Sequence, residues 1–156
     1  MRILGITLLS ACAVYTGFLI SKSYICRLEY LKKIHKMLFE IKGMIQFREL
    51  KIYEIFSRLD YELEFIHFKQ NGNFFDNWEE SVNKDKNLYT KEKTLLLQFG
   101  RELGTTDTAG QIAIINLYLQ YFKTLIDEMS LDIAKKTKSY RAMGIFFASI
   151  IFIIGV

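Results

Sequence analysis

The stretch from Gln111 to Ile133, QIAIINLYLQYFKTLIDEMSLDI, decides the fold class. Within it Ile112, Ile115, Leu119, Phe122, Ile126, Met129 and Ile133 recur at steps of 3, 4, 3, 4, 3 and 4. That is a heptad repeat. It places these side chains along one seam of a helix and predicts lengthwise packing on a second helix. Thr108, followed three residues later by Gln111, has the spacing of a capping box at the helix start. Neither glycine nor proline interrupts the chain between Gln111 and Gly144, so the helix is expected to run into the apolar C-terminal block.

The partner of this seam is read upstream. Tyr24, Leu28, Leu31, His35, Leu38 and Ile45 form a looser stripe at similar spacing, and the two stripes are expected to pair. Between them a helix is predicted from about Leu50 to Phe68, carrying Ile52, Ile55, Phe56, Leu59 and Leu63. The loop Gln70-Asn71-Gly72-Asn73 follows, then a short helix with Phe74, Phe75, Trp78 and Val82, then a polar linker from Asn83 to Leu88. A further helix from Thr90 to Leu103 should bury Leu95, Leu96 and Phe99 and end at Gly104, where a left-handed C-cap costs little. No useful alternating pattern occurs, and proline, which breaks helix interiors, is absent. The expected fold is all-α: an antiparallel helical bundle flanked by N- and C-terminal membrane helices.

The flanks are read from charge. Ile3 to Ser21 is a run of 19 residues without a charge, close to the ~20 that cross ~30 Å of hydrocarbon. Ala142 to Val156 is also uncharged, but its 15 residues span only about 22 Å as a helix. Full crossing there needs local thinning of the bilayer and snorkelling of Arg141; a dip into the membrane is the alternative. Lys22, Arg27, Lys32, Lys33 and Lys36 follow the first run, and Lys135, Lys136, Lys138 and Arg141 precede the second. Basic residues stay on the cytoplasmic side, which gives a membrane helix at 1–22, a cytoplasmic helical domain at 23–141 and a membrane helix at 142–156. Tyr24 and Tyr140 fall at the boundaries, where amphipathic rings favour the headgroup level. From Gly43 to Asp132 acids outnumber bases by fifteen to ten, so the net charge of +4 does not mark a nucleic-acid partner, which would need a basic patch on the folded domain.

Other chemistry finds little to work with. Leu9-Ser10-Ala11-Cys12 has the form of a lipobox, but the chain stays apolar after it instead of opening into a polar tether. Cys12 and Cys26, fourteen positions apart on one helix, are separated by about 21 Å, too far for a disulfide. His35 reads as a half-buried packing residue and His67 is far from it; no cluster has metal spacing. A phosphate loop is missing, and no Ser/His/Asp or Cys/His set is evident. Neither catalytic, cofactor nor metal residues are assigned.

The string Phe99-Gly100-x-x-Leu103-Gly104-x-x-Asp107-x-x-x-Gln111 has a physical reading of its own. Gly100 admits a close neighbour, Gly104 turns the chain, and Asp107 or Thr108 caps the next helix. The string, with Trp78 ahead of it and apolar segments at both ends, resembles the stage III sporulation protein AB family along essentially the whole chain. It departs from that family's pattern at Gln46 to Lys51, where neither the usual glycine nor the proline occurs. The resemblance implies a membrane platform subunit of a secretion-like channel complex between mother cell and forespore, similar to the inner-membrane platforms of type II secretion and type IV pilus machines. It further implies a location in the mother-cell membrane around the forespore. The implied partners are a separate hexameric secretion-type ATPase, other membrane subunits of the complex and the lipid bilayer. Arg101, Glu102 and Asp107 are the candidate partner contacts. A platform outside sporulation and a membrane-anchored helical ligand sensor are the alternatives.

Overall fold

The computed structural model describes residues 2–48, 52–59, 63–66 and 73–155, with only part of the side chains in the two helical ends. In chain order the elements are α1 (Arg2–Arg48), α2 (Ile52–Arg58), a 3-10 turn (Glu64–Ile66), α3 (Phe74–Lys84), α4 (Thr90–Glu102) and α5 (Thr108–Gly155). No strand occurs among the described residues. The all-α reading holds. The unbroken run after Gln111 gives one helix to Gly155, as the absence of breakers requires. The chain divides into two compact units, one formed by Met1–Glu29 with Ile126–Val156, the other by Tyr30–Leu125.

The central unit, Tyr30–Leu125, holds the core. Its part of α1 buries Leu31, Ile34, Leu38, Ile41 and Ile45, a 3-4-3-4 seam, with Met37 beside it. The sequence stripe found Leu31, Leu38 and Ile45 but missed the positions between them. Its part of α5 buries Ile115, Tyr118 and Phe122. His35 is half-buried beside the Lys123 ammonium. Burial first, and that ammonium second, hold its imidazole below the usual histidine range. α3 and α4 pack as an antiparallel hairpin: Lys93 Nζ reaches Asn83 O at 2.7 Å, whereas Arg101, at the other end of α4, meets Glu79 at 4.0 Å.

Two local predictions change. The helix expected from Leu50 to Phe68 is shorter, Ile52–Arg58, followed by the separate 3-10 turn at Glu64–Ile66. Ile55, Phe56, Leu59, Leu63, Phe65 and Ile66 are all buried, so the segment folds onto the core in two pieces with apolar residues on more than one helical face. His67 and the loop at 70–72 lie outside the described residues. The second change is the linker after α3, which is not simply polar. Asp85 and Leu88 are buried in it. Asp85 accepts a hydrogen bond from the Tyr30 hydroxyl of α1 on one oxygen and from Asn87 N at 2.8 Å on the other. A buried carboxylate is costly without such donors, and here they fasten the hairpin to α1.

The other unit is built from α1 and α5 alone. Lys136 Nζ lies 5.7 Å from the centroid of the Tyr24 ring and 3.0 Å from Asp132 Oδ2. α1 and α5 thus approach each other within each unit, at His35 with Lys123 and at Tyr24 with Lys136, although neither lysine belongs to the predicted α5 stripe. Cys12 and Cys26 are both free thiols. Among the described residues no helix is long and apolar enough to cross a membrane.

The Tyr30–Asp85 bond generates a measurable expectation. Tyr30→Phe removes the donor from a buried carboxylate oxygen and should destabilise the central unit by about 1–3 kcal/mol. Thermal unfolding followed by circular dichroism checks it; an unchanged midpoint would show that the bond contributes nothing.

Candidate functional site

The most unusual string of the sequence forms the α4–α5 corner of the central unit. α4 begins with Tyr89 N–H donating to the Glu92 carboxylate at 2.5 Å, the glutamate half of a capping box. Glu92 is buried, which the sequence reading did not anticipate. The spacing of Glu92, three residues into α4 after Tyr89, is the signal that was available for it. At the other end Leu103 N–H bonds to Phe99 O at 2.9 Å, and Gly104 takes φ +83°. Glycine adopts that left-handed conformation without the Cβ penalty of other residues. A Cβ there would also lie 2.5 Å from Ile52 Cδ1.

Asp107, not Thr108, caps α5. Its Oδ1 accepts from Gly110 N–H at 2.9 Å and its carbonyl from Gln111 N–H at 2.9 Å. The Gln111 side chain reaches back past the expected box to Thr106 O, at 3.0 Å. The aspartate competes well because its short side chain reaches the free N–H groups of the first turn.

Gly100 does more than admit a neighbouring helix: it is the seat of Trp78. A Cβ on Gly100 would overlap the indole, falling well within 3.0 Å of Cδ1 and Nε1. The missing Cβ opens the side of α4, and Trp78 Nε1–H donates through the gap to Leu96 O at 2.7 Å. In an α-helix that carbonyl also accepts the Gly100 N–H, and its two lone pairs serve both donors. Around the buried indole stand Phe56 (5.4 Å between centroids), Phe65 (5.4 Å), Phe74 (5.9 Å) and Phe99 (6.1 Å). Phe99 passes the contact on to Tyr118 of α5 at 5.3 Å. Leu103 is buried at the end of the same face.

The candidate contact residues all have tasks within the chain. The Arg101 guanidinium lies 4.0 Å from Glu79 and 5.1 Å from the Phe75 ring centroid. Such an exposed pair adds little stability, but it orients the arginine. Tyr118 hydrogen-bonds Glu102; burial first, then the Glu102 charge and that bond, then Tyr121, push the phenol well above its ordinary range. Asp107 caps. Arg101, Glu102 and Asp107 nevertheless remain exposed, on one corner of the unit. No group of three or more His, Cys, Asp or Glu residues able to hold a metal ion occurs among the described residues.

Two substitutions test this geometry. Gly100→Ala should force the indole off its seat and cost about 1–3 kcal/mol. Because Trp78 is the chain's one tryptophan, a red shift in emission should accompany the loss, and unaltered emission with unaltered stability would refute the seat. Gly104→Val should cost about 1 kcal/mol or more through the cap and the clash with Ile52. An unchanged melting temperature for that variant would refute the cap.

Searches of curated proteins and of solved structures give no match. The family model of stage III sporulation protein AB matches residues 2–154 of the 156. A match over nearly the entire length, embracing the helical middle and both uncharged ends, is the same assignment that Trp78 and the string from Phe99 to Gln111 pointed to: the chain belongs to the stage III sporulation protein AB family.

Proposed function

We propose that this protein is a membrane-anchored scaffold that serves sporulation as a platform subunit of a secretion-like channel complex, seating a separate hexameric secretion-type ATPase. The family match carries the reading, because it joins a sporulation role to a chain with two apolar ends and a helical middle. Anchoring rests on the full uncharged runs at Ile3–Ser21 and Ala142–Val156 in the sequence, with Lys and Arg on their inner sides. Tyr15, Leu19, Met143, Ile145, Phe146 and Ile153 support it: these large apolar side chains are exposed on the two helical ends. Apolar surface of that extent marks contact with lipid or protein. By the same reading the central unit is cytoplasmic, and the anchoring membrane is that of the mother cell around the forespore.

The ATPase assignment rests on likeness to secretion platforms, an analogy at the level of family. The exposed corner of Arg101, Glu102 and Asp107 is its docking end. Rigid helical ends and a fixed turn suit that task, since a seat ordered in advance loses less entropy on binding. An acidic middle also steers a basic partner surface.

Two measurements test the proposal. A reporter active only in the cytoplasm should work when fused after Lys69 and fail when fused after Val156; activity at both positions would defeat full spanning of the second segment. The full chain in membranes should retain its cognate ATPase. Arg101→Glu with Glu102→Lys should weaken that retention far more than Glu102→Gln alone, which removes the same Tyr118–Glu102 charge contact at a cost of about 1–3 kcal/mol but leaves Arg101 in place. Failure of the unaltered chain to retain the ATPase would remove the platform assignment.

A further inference from the structure

The unit formed by Met1–Glu29 and Ile126–Val156 gathers two basic stretches that are far apart in sequence. Lys136 fixes their level, lying over the Tyr24 ring and against Asp132. Lys22 is two residues from Tyr24 along α1, and Lys135 and Lys138 are one and two residues from Lys136 along α5. At 1.5 Å per residue all of them fall within about 3 Å of that level along their own helix axes. They do not converge on one pocket. With 3.6 residues per turn, Lys22 stands about 160° around α1 from Tyr24, and Lys135 and Lys138 stand about 100° and 160° around α5 from Lys136. Lys22, Lys135 and Lys138 are exposed. The result is a collar of ammonium groups around the helix pair.

Polarity changes across this collar. On its terminal side the exposed residues include Leu19 and Tyr15 of α1 and Met143, Ile145 and Phe146 of α5. On its inner side of α5 stand the exposed acids Asp132, Glu128 and Asp127. No acid lies between Lys22 and Leu28, nor between Ile133 and Arg141. The headgroup region, by difference between ~40–45 Å overall and the ~30 Å core, is roughly 5–7 Å thick on each side. The collar, about 4.5 Å deep along the helix axes, fits within that layer.

We propose that Lys22, Lys135 and Lys138 form a headgroup-level collar that selects anionic phospholipids around this helix pair. The inference rests on the membrane anchoring proposed above and extends it: basic residues set the orientation of a chain in any bilayer, whereas a collar within the headgroup layer also enriches negatively charged lipids against it. Each lysine near an anionic surface raises association about fivefold at low ionic strength, and salt screens the effect.

The test uses the full chain reconstituted in phosphatidylcholine vesicles with trace spin-labelled phosphatidylglycerol or spin-labelled phosphatidylcholine. Electron spin resonance reads the motionally restricted fraction of each. The labelled phosphatidylglycerol should be favoured by roughly threefold or more at low salt, with the ratio falling toward one in high salt. The triple variant K22Q, K135Q, K138Q should lose most of the preference; glutamine keeps the helix propensity of lysine, so helicity should stay unchanged. The control K84Q, K86Q, K91Q in the central unit should keep it. Restricted lipid of both kinds in equal amounts, or a preference that survives the triple variant, would overturn the collar while leaving anchoring intact. Restricted lipid of neither kind would overturn anchoring itself, and the collar with it.

Discussion

The central unit depends on the contact of one indole with one missing side chain. Trp78 needs a flat, open surface and an acceptor for its N–H, and the α4 backbone at Leu96 and Gly100 supplies both. From there the aromatic rings at positions 56, 65, 74 and 99 close around it, and Phe99 links it to Tyr118 on α5. The short elements between the long helices could not build a core from their own apolar residues alone. Gathered around a common ring system they share one, and α1 and α5 then have something to pack against.

That arrangement explains why the unusual string is structural first. Phe99 and Leu103 fill the face that Trp78 uses, Gly100 opens it, Gly104 turns the chain away, and Asp107 starts α5 in the new direction. The corner is therefore fixed from both sides by caps, and Arg101 and Glu102 are held against Phe75, Glu79 and Tyr118. A partner meeting this corner would find its groups already oriented. Internal and external roles are compatible, because the charged heads of Arg101 and Glu102, though engaged within the chain, belong to residues that stay exposed.

The buried carboxylates show a second kind of order. Asp85 and Glu92 flank the α3–α4 connection, one bonded to the Tyr30 hydroxyl and the other to the Tyr89 N–H. Each draws a loop inward that its polarity would otherwise leave in water. Such groups cost stability unless satisfied; Glu92 is satisfied within its own helix start, and the Asp85 bond to Tyr30 fixes where the hairpin sits on α1.

How much of this was legible follows from the range of each effect. Local periodicity exposed Ile115 and Phe122 of the α5 seam, though not the buried Tyr118, together with the bounds of α4 and the turn at Gly104, because helix spacing and a positive φ at glycine act within a few residues. The placement of Leu31, Leu38 and Ile45 was readable for the same reason, whereas Ile34, Met37 and Ile41 were passed over on a looser stripe. The break after Arg58, the burial of Asp85 and the choice of Asp107 over Thr108 turned on neighbours distant in the chain or on competition between adjacent caps, whereas the Glu92 cap was encoded locally by its spacing from Tyr89. Sequence by itself determined a helical chain with charge-free ends and a string of family character, since repeat spacing and charge order are properties of the linear chain. Only the tertiary structure decided that Gly100 is the seat of Trp78 and that Tyr30 holds Asp85, since those contacts join residues 22 and 55 positions apart and no local pattern encodes which surfaces will meet.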